Sequence, residues 1–138
     1  MVDFNSPIGR KIKRRLREEQ IIWLITVDAH NTPQPRPVWF HWDGRDILIF
    51  SQTGAAKVRH IQHNPNVALN FNTDSKGDEV GVMIGEARIQ AEALPANRMR
   101  NYLRKYSQGL QDIGLTVAEM KAEYPVILLV NLVSLRGF

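Results

Sequence analysis

The sequence predicts a mainly β domain, an antiparallel barrel of six strands with helices at its periphery. Three observations lead there. Six segments carry the β-branched, aromatic or alternating patterns of strands. Helical patterns fall at the start, between strands and before the last strand. No βα unit repeats, as a parallel sheet would require. The 138 residues fit one domain, expected to span 1–138, and a chain of this size buries roughly two-thirds of the surface its unfolded form exposes.

Taken in order, Ser6 caps a helix whose first residue is Pro7, where the missing N–H costs nothing and the fixed φ already suits the helix. Ile8, Ile12 and Leu16 give that helix an apolar stripe, and it is expected to run to about Gln20. Ile21 to Asp28 is apolar at nearly every position, the pattern of a central strand covered on both faces. Pro33, Pro35 and Pro37 then sit at alternate positions, so one edge of that extended stretch cannot donate a full ladder. Val38 to Trp42 and Asp46 to Ser51 read as a hairpin closed by Asp43-Gly44.

Gln52 to Gly54 is a turn, and Ala55 to His63 a short helix stopped by Asn64-Pro65. Val67, Leu69 and Phe71 alternate with polar or small residues as a half-buried strand, and Thr73 to Asp78 is a polar loop. From Val80 to Glu92 the apolar positions change phase around Gly85, which predicts a bulge or barrel corner where the strand exchanges its buried face. Pro95 opens a helix to about Tyr106, followed by a loop over Gly109 to Gly114. Thr116 and Glu119 match a capping box for a short helix that Pro125 stops. Val126 to Val133 is the last strand.

Composition narrows the function classes. Apolar and charged residues make up 43% and 23%, and no apolar run approaches the roughly 20 residues of a membrane span. No membrane association is expected. The N-terminus places basic residues where a signal peptide needs an apolar core, and the chain has no cysteine, which suits a cytoplasmic location. Net charge is +4, with six bases against three acids in the first twenty residues. The apolar stripe behind them reads as a docked helix with a solvated basic face, so no nucleic acid is expected as a partner. Four histidines, at 30, 41, 60 and 63, do not amount to a metal site without cysteine or a nearby acidic ligand.

Two segments carry candidate chemistry. Ser51-Gln52-Thr53-Gly54-Ala55-Ala56-Lys57 joins a strand end to a helix start. The free N–H groups of that terminus, the hydroxyls and the Lys57 ammonium fit a phosphate. A capped helix with one exposed lysine fits as well, and the glycine order of a P-loop is absent. In Arg36-Pro37-Val38-Trp39-Phe40 a proline-damaged edge meets aromatic surface against which a flat ring can lie. Phe40 is expected in the core, whereas Trp39 either packs or lines such a site. No side chain stands out as a catalytic acid or base.

The order of these motifs resembles the pyridoxamine 5′-phosphate oxidase-like flavoproteins, a family that includes flavin and deazaflavin oxidoreductases. The similarity runs from the first helix and Ile21 to Val27, through Pro35 to Phe40 and Asp43-Gly44, to Ser51 through Lys57. It continues through Val58-Arg59-His60-Ile61 and Asn64-Pro65-Asn66-Val67 to Arg136-Gly137-Phe138. The resemblance implies a split β-barrel homodimer with two cofactor sites at the subunit interface, each drawing on both chains. It implies FMN as cofactor, or alternatively coenzyme F-420. Pro37, Val38 and Trp39 would line the isoalloxazine, Ser51, Gln52 and Thr53 its ribityl and phosphate region, and Lys57 the phosphate, with Arg36 and Arg136 joining the set. One departure matters, because pyridoxamine phosphate oxidases place Arg-Lys at the phosphate and this chain has Ala56-Lys57. Their longer C-terminal substrate region also has no counterpart, so vitamin B6 oxidation is not expected. Val38-Trp39-Phe40 and the Leu135 to Phe138 ending look more like the branch that includes users of coenzyme F-420. The acidic tail of that cofactor would suit a basic surface, to which Arg14, Arg15 or Arg59 could contribute. The implied activity is hydride transfer to or from a small organic substrate, and the alternative is an FMN-binding carrier or sensor without turnover.

Overall fold

The computed structural model describes residues 2–138. In chain order the elements are α1 (Pro7–Glu18), β1 (Ile21–Val27), β2 (Pro33–Trp39), β3 (His41–Trp42), β4 (Asp46–Ser51), α2 (Ala56–His63), β5 (Asn66–Asn70), β6 (Gly81–Gln90), α3 (Ala96–Asp112), α4 (Val117–Glu123) and β7 (Val126–Gly137). The seven strands form one antiparallel sheet in the order β2-β1-β5-β6-β7-β4-β3. Strands β2 and β3 end that order on opposite sides, yet only Phe40 separates them in the chain. The sheet therefore curls round until its two edges meet at this residue, giving a split barrel. Among the described residues no helix is long and apolar enough to cross a membrane.

Seven strands correct the expected six. Val38 to Trp42 is not continuous, because the Phe40 N–H goes to the Tyr106 hydroxyl and the Phe40 carbonyl to Tyr106 and Lys105. Deprived of a strand partner there, the chain leaves β1 and joins β4. The proline stretch before it is continuous with Val38 and Trp39 as the single strand β2. Pro33, Pro35 and Pro37 lie opposite Val27, Ile25 and Trp23. Having no N–H, they leave the ladder bonds to Gln34, Arg36 and Val38 and turn their own nitrogens and carbonyls to the free edge.

The barrel interior holds Ile22, Leu24, Phe40, Ile49, Leu69, Met83 and Val130, all at most 1% exposed. Burying each such side chain contributes about 1.5–3 kcal/mol. Helix α1 starts as expected, with the Ser6 hydroxyl accepting from the Gly9 N–H at 3.0 Å, and it sends Ile12 and Leu16 into this core. Its basic face is not wholly solvated. The Arg15 guanidinium lies 4.6 Å over the Phe71 ring and donates to the carbonyls of Asn72 and Glu79.

Strand β1 is central, but only its Ile22, Leu24 and Thr26 face is fully buried, and Trp23 and Ile25 on the other face are half-buried. Strand β6 corrects a second expectation. Gly81, Met83, Gly85 and Ala87 all point inward, so the strand keeps its buried face. The bulge does lie at Ile84/Gly85, but Ser134 pairs with Ile84 and Leu132 with Gly85, which puts the extra residue, Val133, in β7. Glycine is required at 85 because a Cβ would stand 2.7 Å from Val130 and 2.8 Å from the Asn131 carbonyl. What changes along β6 is its outer face, from half-buried Val82 and Ile84 to exposed Glu86 and Arg88.

Helices α3 and α4 cover part of the outer surface, packing Tyr102, Tyr106, Leu110 and Met120 on Leu48 and Leu129. The rest carries two cross-strand rows, Pro37-Trp23-Asn70-Val82-Arg136 and Pro35-Ile25-Ala68-Ile84-Ser134.

Candidate functional site

Strand β4 delivers Ser51 to the barrel end, where it is 1% exposed. The exposed turn Gln52 to Gly54 then closes with the Ala55 N–H donating to the Gln52 carbonyl at 3.2 Å. Arg59 braces the turn by donating to the Gly54 carbonyl at 2.9 Å. Val58 and Ile61 hold α2 on the core, and His60 Nδ1 meets the Thr26 hydroxyl of β1 at 2.7 Å. Ala55 occupies the N-cap of α2 and no side chain caps it. The capped-helix reading of this segment therefore does not hold; the Val58 N–H donates to the Ala55 carbonyl at 3.1 Å, and the N–H groups of Ala56 and Lys57 are left for another acceptor. Ser51 Oγ has only a 3.4 Å contact to the Gln52 carbonyl, at the outer limit of a hydrogen bond.

Lys57 is half-buried rather than exposed. Burial, followed by the nearby Arg36 guanidinium, holds its ammonium pKa below the ordinary lysine value. Among the described residues neither cation lies within ion-pair distance of a carboxylate. Two like charges brought together without a counter-ion repel one another, and an anion between them removes that cost.

Beside Lys57 a cavity of about 220 Å³ opens between β2 and the α3–α4 pair. Pro37, Val38 and Trp39 form one wall, and Phe50, Tyr102, Leu110 and Met120 form much of the other. The Trp39 indole stacks on Tyr106, with ring centroids 4.6 Å apart and planes 7° from parallel. Gly109 lets it approach α3, since a Cβ there would stand 3.1 Å from the indole. Trp39 thus packs against a helix and lines the cavity at once.

The structure brings Arg36, Pro37, Val38, Trp39 and Lys57 into one neighbourhood, with Ser51, Gln52 and Thr53 leading into α2. It does not bring Arg136 there. That residue is exposed on β7, in a cross-strand row four strands from Pro37, about 19 Å at the usual strand spacing. Of the residues considered for an acidic tail, Arg59 belongs to the Gly54 turn, whereas Arg15 is bound at Asn72 and Glu79. Sequence reasoning missed Tyr102 and Tyr124, which α3 and the end of α4 bring to the cavity. The available signal was the pair Tyr102 and Tyr106, spaced to share one face of a helix.

Comparison with known proteins bears on the fold and the family. Residues 8–126 match the family model described as pyridoxamine 5′-phosphate oxidase. A curated relative, the pyridoxine/pyridoxamine 5′-phosphate oxidase of Cronobacter sakazakii, is 28% identical over 69 residues, covering 49% of this chain and 32% of that enzyme. A candidate pyridoxamine 5′-phosphate oxidase from Listeria innocua has the same fold with a TM-score of 0.67 and 20% identity, covering 92% of this chain and 94% of the other. An F420 reductase also has a TM-score of 0.67, at 23% identity, with 90% and 94% covered. The seam at Phe40, the curled antiparallel sheet and the match over residues 8–126 lead to one conclusion: the chain belongs to the pyridoxamine 5′-phosphate oxidase family.

Proposed function

We propose that this protein is an oxidoreductase that binds FMN, or alternatively coenzyme F-420, and acts on a small organic substrate in the cytoplasm. The observation that carries the reading is the Arg36–Lys57 pair, two cations without a carboxylate partner beside the uncapped start of α2. Those groups, with the Ser51 and Thr53 hydroxyls, would hold the cofactor phosphate. The main chain at Pro37, Val38 and Trp39 would support the flat ring, and the cavity beside them would admit the substrate. Bound there, the ring supplies hydride transfer. The chain fixes its orientation and walls it from water with Trp39, Phe50 and the α3–α4 pair.

The same reading makes the protein a homodimer. Trp23, Ile25, Ala68, Val82 and Ile84 form a half-buried outer face with no helix among the described residues packed on it. A second copy seated there would close the site from the other side, and it is the route by which Arg136 would reach a cofactor. A carrier or sensor without turnover is the second reading, favoured by a cavity whose titratable lining is limited to Lys57, Tyr102 and Tyr124. Bound cofactor that no donor reduces would establish it.

The test is titration of FMN and coenzyme F-420 into the wild type and Lys57→Ala. Loss of affinity of tenfold or more is expected for whichever cofactor binds, on the order of a charge-assisted hydrogen bond. Unchanged titrations would sink the phosphate assignment.

A further inference from the structure

The cavity under α3 and α4 carries information about its occupant. At about 220 Å³ it exceeds the roughly 150 Å³ apolar cavity that suffices for benzene. It is smaller than the roughly 300–1,000 Å³ of sites that enclose drug-sized ligands. The volume matches one substituted ring, and the proposed function sets the cofactor's three fused rings along the β2 main chain beside it.

Its polarity is confined to a few atoms. Tyr102 is 2% exposed and borders the cavity; its hydroxyl is not among the fully enclosed polar atoms without a partner, and no side chain or main-chain group of the described residues hydrogen-bonds it. The ring cannot turn to find one. It meets Phe50 edge-on at 4.6 Å and leans on Tyr106 at 4.9 Å. Tyr106 is no substitute, because its hydroxyl is already engaged by Phe40 and Gln20. Burial, then the neighbouring Tyr106 and Tyr124, pushes the Tyr102 phenol pKa well up, so the group stays protonated and is a donor. Lys57 is the one charged residue in the lining, and the reading above commits it to the cofactor phosphate. Tyr124, half-buried at the end of α4, adds a second phenol; the remaining lining is hydrocarbon, aromatic or main chain, and Ile113, 57% exposed, extends that apolar surface to the rim.

We infer that this cavity binds a small neutral ring compound carrying a carbonyl-type oxygen, which accepts a hydrogen bond from Tyr102. The inference deepens the proposed function by naming the substrate class, and it rests on that reading for the ligand's neutrality, since Lys57 is committed to the cofactor, and for what happens after binding. Tyr102 then fixes which edge of the ring faces the cofactor, because the acceptor oxygen must point at its hydroxyl.

The experiment uses the full chain and two probes of nearly the same shape, acetophenone and ethylbenzene. Binding is followed through the methyl resonances of Leu110, Ile113, Leu115 and Met120. Saturable shifts are expected with both, and acetophenone should bind roughly tenfold more tightly, the worth of one hydrogen bond. In Tyr102→Phe the two affinities should converge, with ethylbenzene binding unchanged as evidence of an intact cavity. No saturable shift in these methyls, or a wild type without preference for acetophenone, overturns the inference. So does a preference that survives in Tyr102→Phe. Failure of the FMN and F-420 titrations would instead sink the cofactor reading and leave this result standing.

Discussion

The Tyr106 hydroxyl lies 2.8 Å from both the amide nitrogen and the carbonyl oxygen of Phe40, and 2.7 Å from the Gln20 carbonyl. A side chain of α3 thus replaces a neighbouring strand at the one residue where the sheet's two edges meet. It accepts from the Phe40 N–H, and its single proton serves the two carbonyls. Tyr106→Phe removes the acceptor and leaves a buried N–H unpaired. The expected loss is about 1–3 kcal/mol of stability by urea unfolding, with far-UV dichroism unchanged. A loss below about 0.5 kcal/mol would show that the seam does not depend on this hydroxyl.

Lys105 adds a pH dependence to the same seam. Its ammonium donates to the Phe40 carbonyl at 2.8 Å and stands 3.7 Å over the Phe40 ring. Burial lowers its pKa to about 8 from the ordinary 10.5, against a partial upward pull from Glu19. Between those two values the folded chain has released a proton that the unfolded chain still holds, so Lys105 favours folding increasingly as pH rises from about 8. Below that range the charged form carries its full desolvation cost. Tyr102 and Tyr106 act in the opposite sense once the unfolded phenols ionise near pH 10, so the informative window closes before that. Relative to Lys105→Met, wild-type stability should rise between pH 7.5 and about 9.5. A wild-type advantage that shrinks with pH contradicts the assignment.

Gly85 and Gly54 make a matched pair. An alanine Cβ at 85 would stand 2.7 Å from Val130 and 2.8 Å from the Asn131 carbonyl, whereas at 54 nothing lies within 4 Å. Gly85→Ala is expected to lose about 1–3 kcal/mol in thermal or urea unfolding, and Gly54→Ala to stay within about 0.5 kcal/mol of wild type. Equal effects would mean that the bulge opposite Gly85 relaxes freely.

Ile84 sits in the outer row between Ala68 and Ser134. Under the proposed dimer, Ile84→Glu places a charge in an apolar interface and should shift sedimentation to the mass of one chain, with cofactor affinity falling alongside it. A variant that sediments as the wild type does would remove this face from the interface.

Local chemistry made much of the fold legible. Ser6 and Pro7 start α1, Thr116 and Glu119 form the capping box of α4, and Gly44 takes the positive φ of the hairpin turn, as the residues themselves dictate. What stayed hidden depends on partners far along the chain. The split of one expected strand into β2 and β3 is imposed by Tyr106 and Lys105, more than sixty residues away from Phe40. Helix α3 runs to Asp112 through Gly109, a residue that reads as a loop signal until Trp39 is found against it. Likewise β7 continues past Val133 to Gly137 because β6 offers partners as far as Gly81. For the site, the Lys57 turn was visible as a motif and Arg36 as a neighbour by resemblance. The tyrosine-lined cavity was not, since α3 and α4 meet β2 only after the barrel has curled.

The three prolines of β2 leave an edge that accepts hydrogen bonds and offers no N–H at alternate positions. An incoming strand would find no complementary ladder, so this sheet cannot lengthen by adding chains side by side. Association through the opposite, outward face is self-limiting when the same patch meets itself about a two-fold axis, because both copies are then used up. The prolines act as a stop against open-ended fibre growth, steering any self-assembly toward a closed pair.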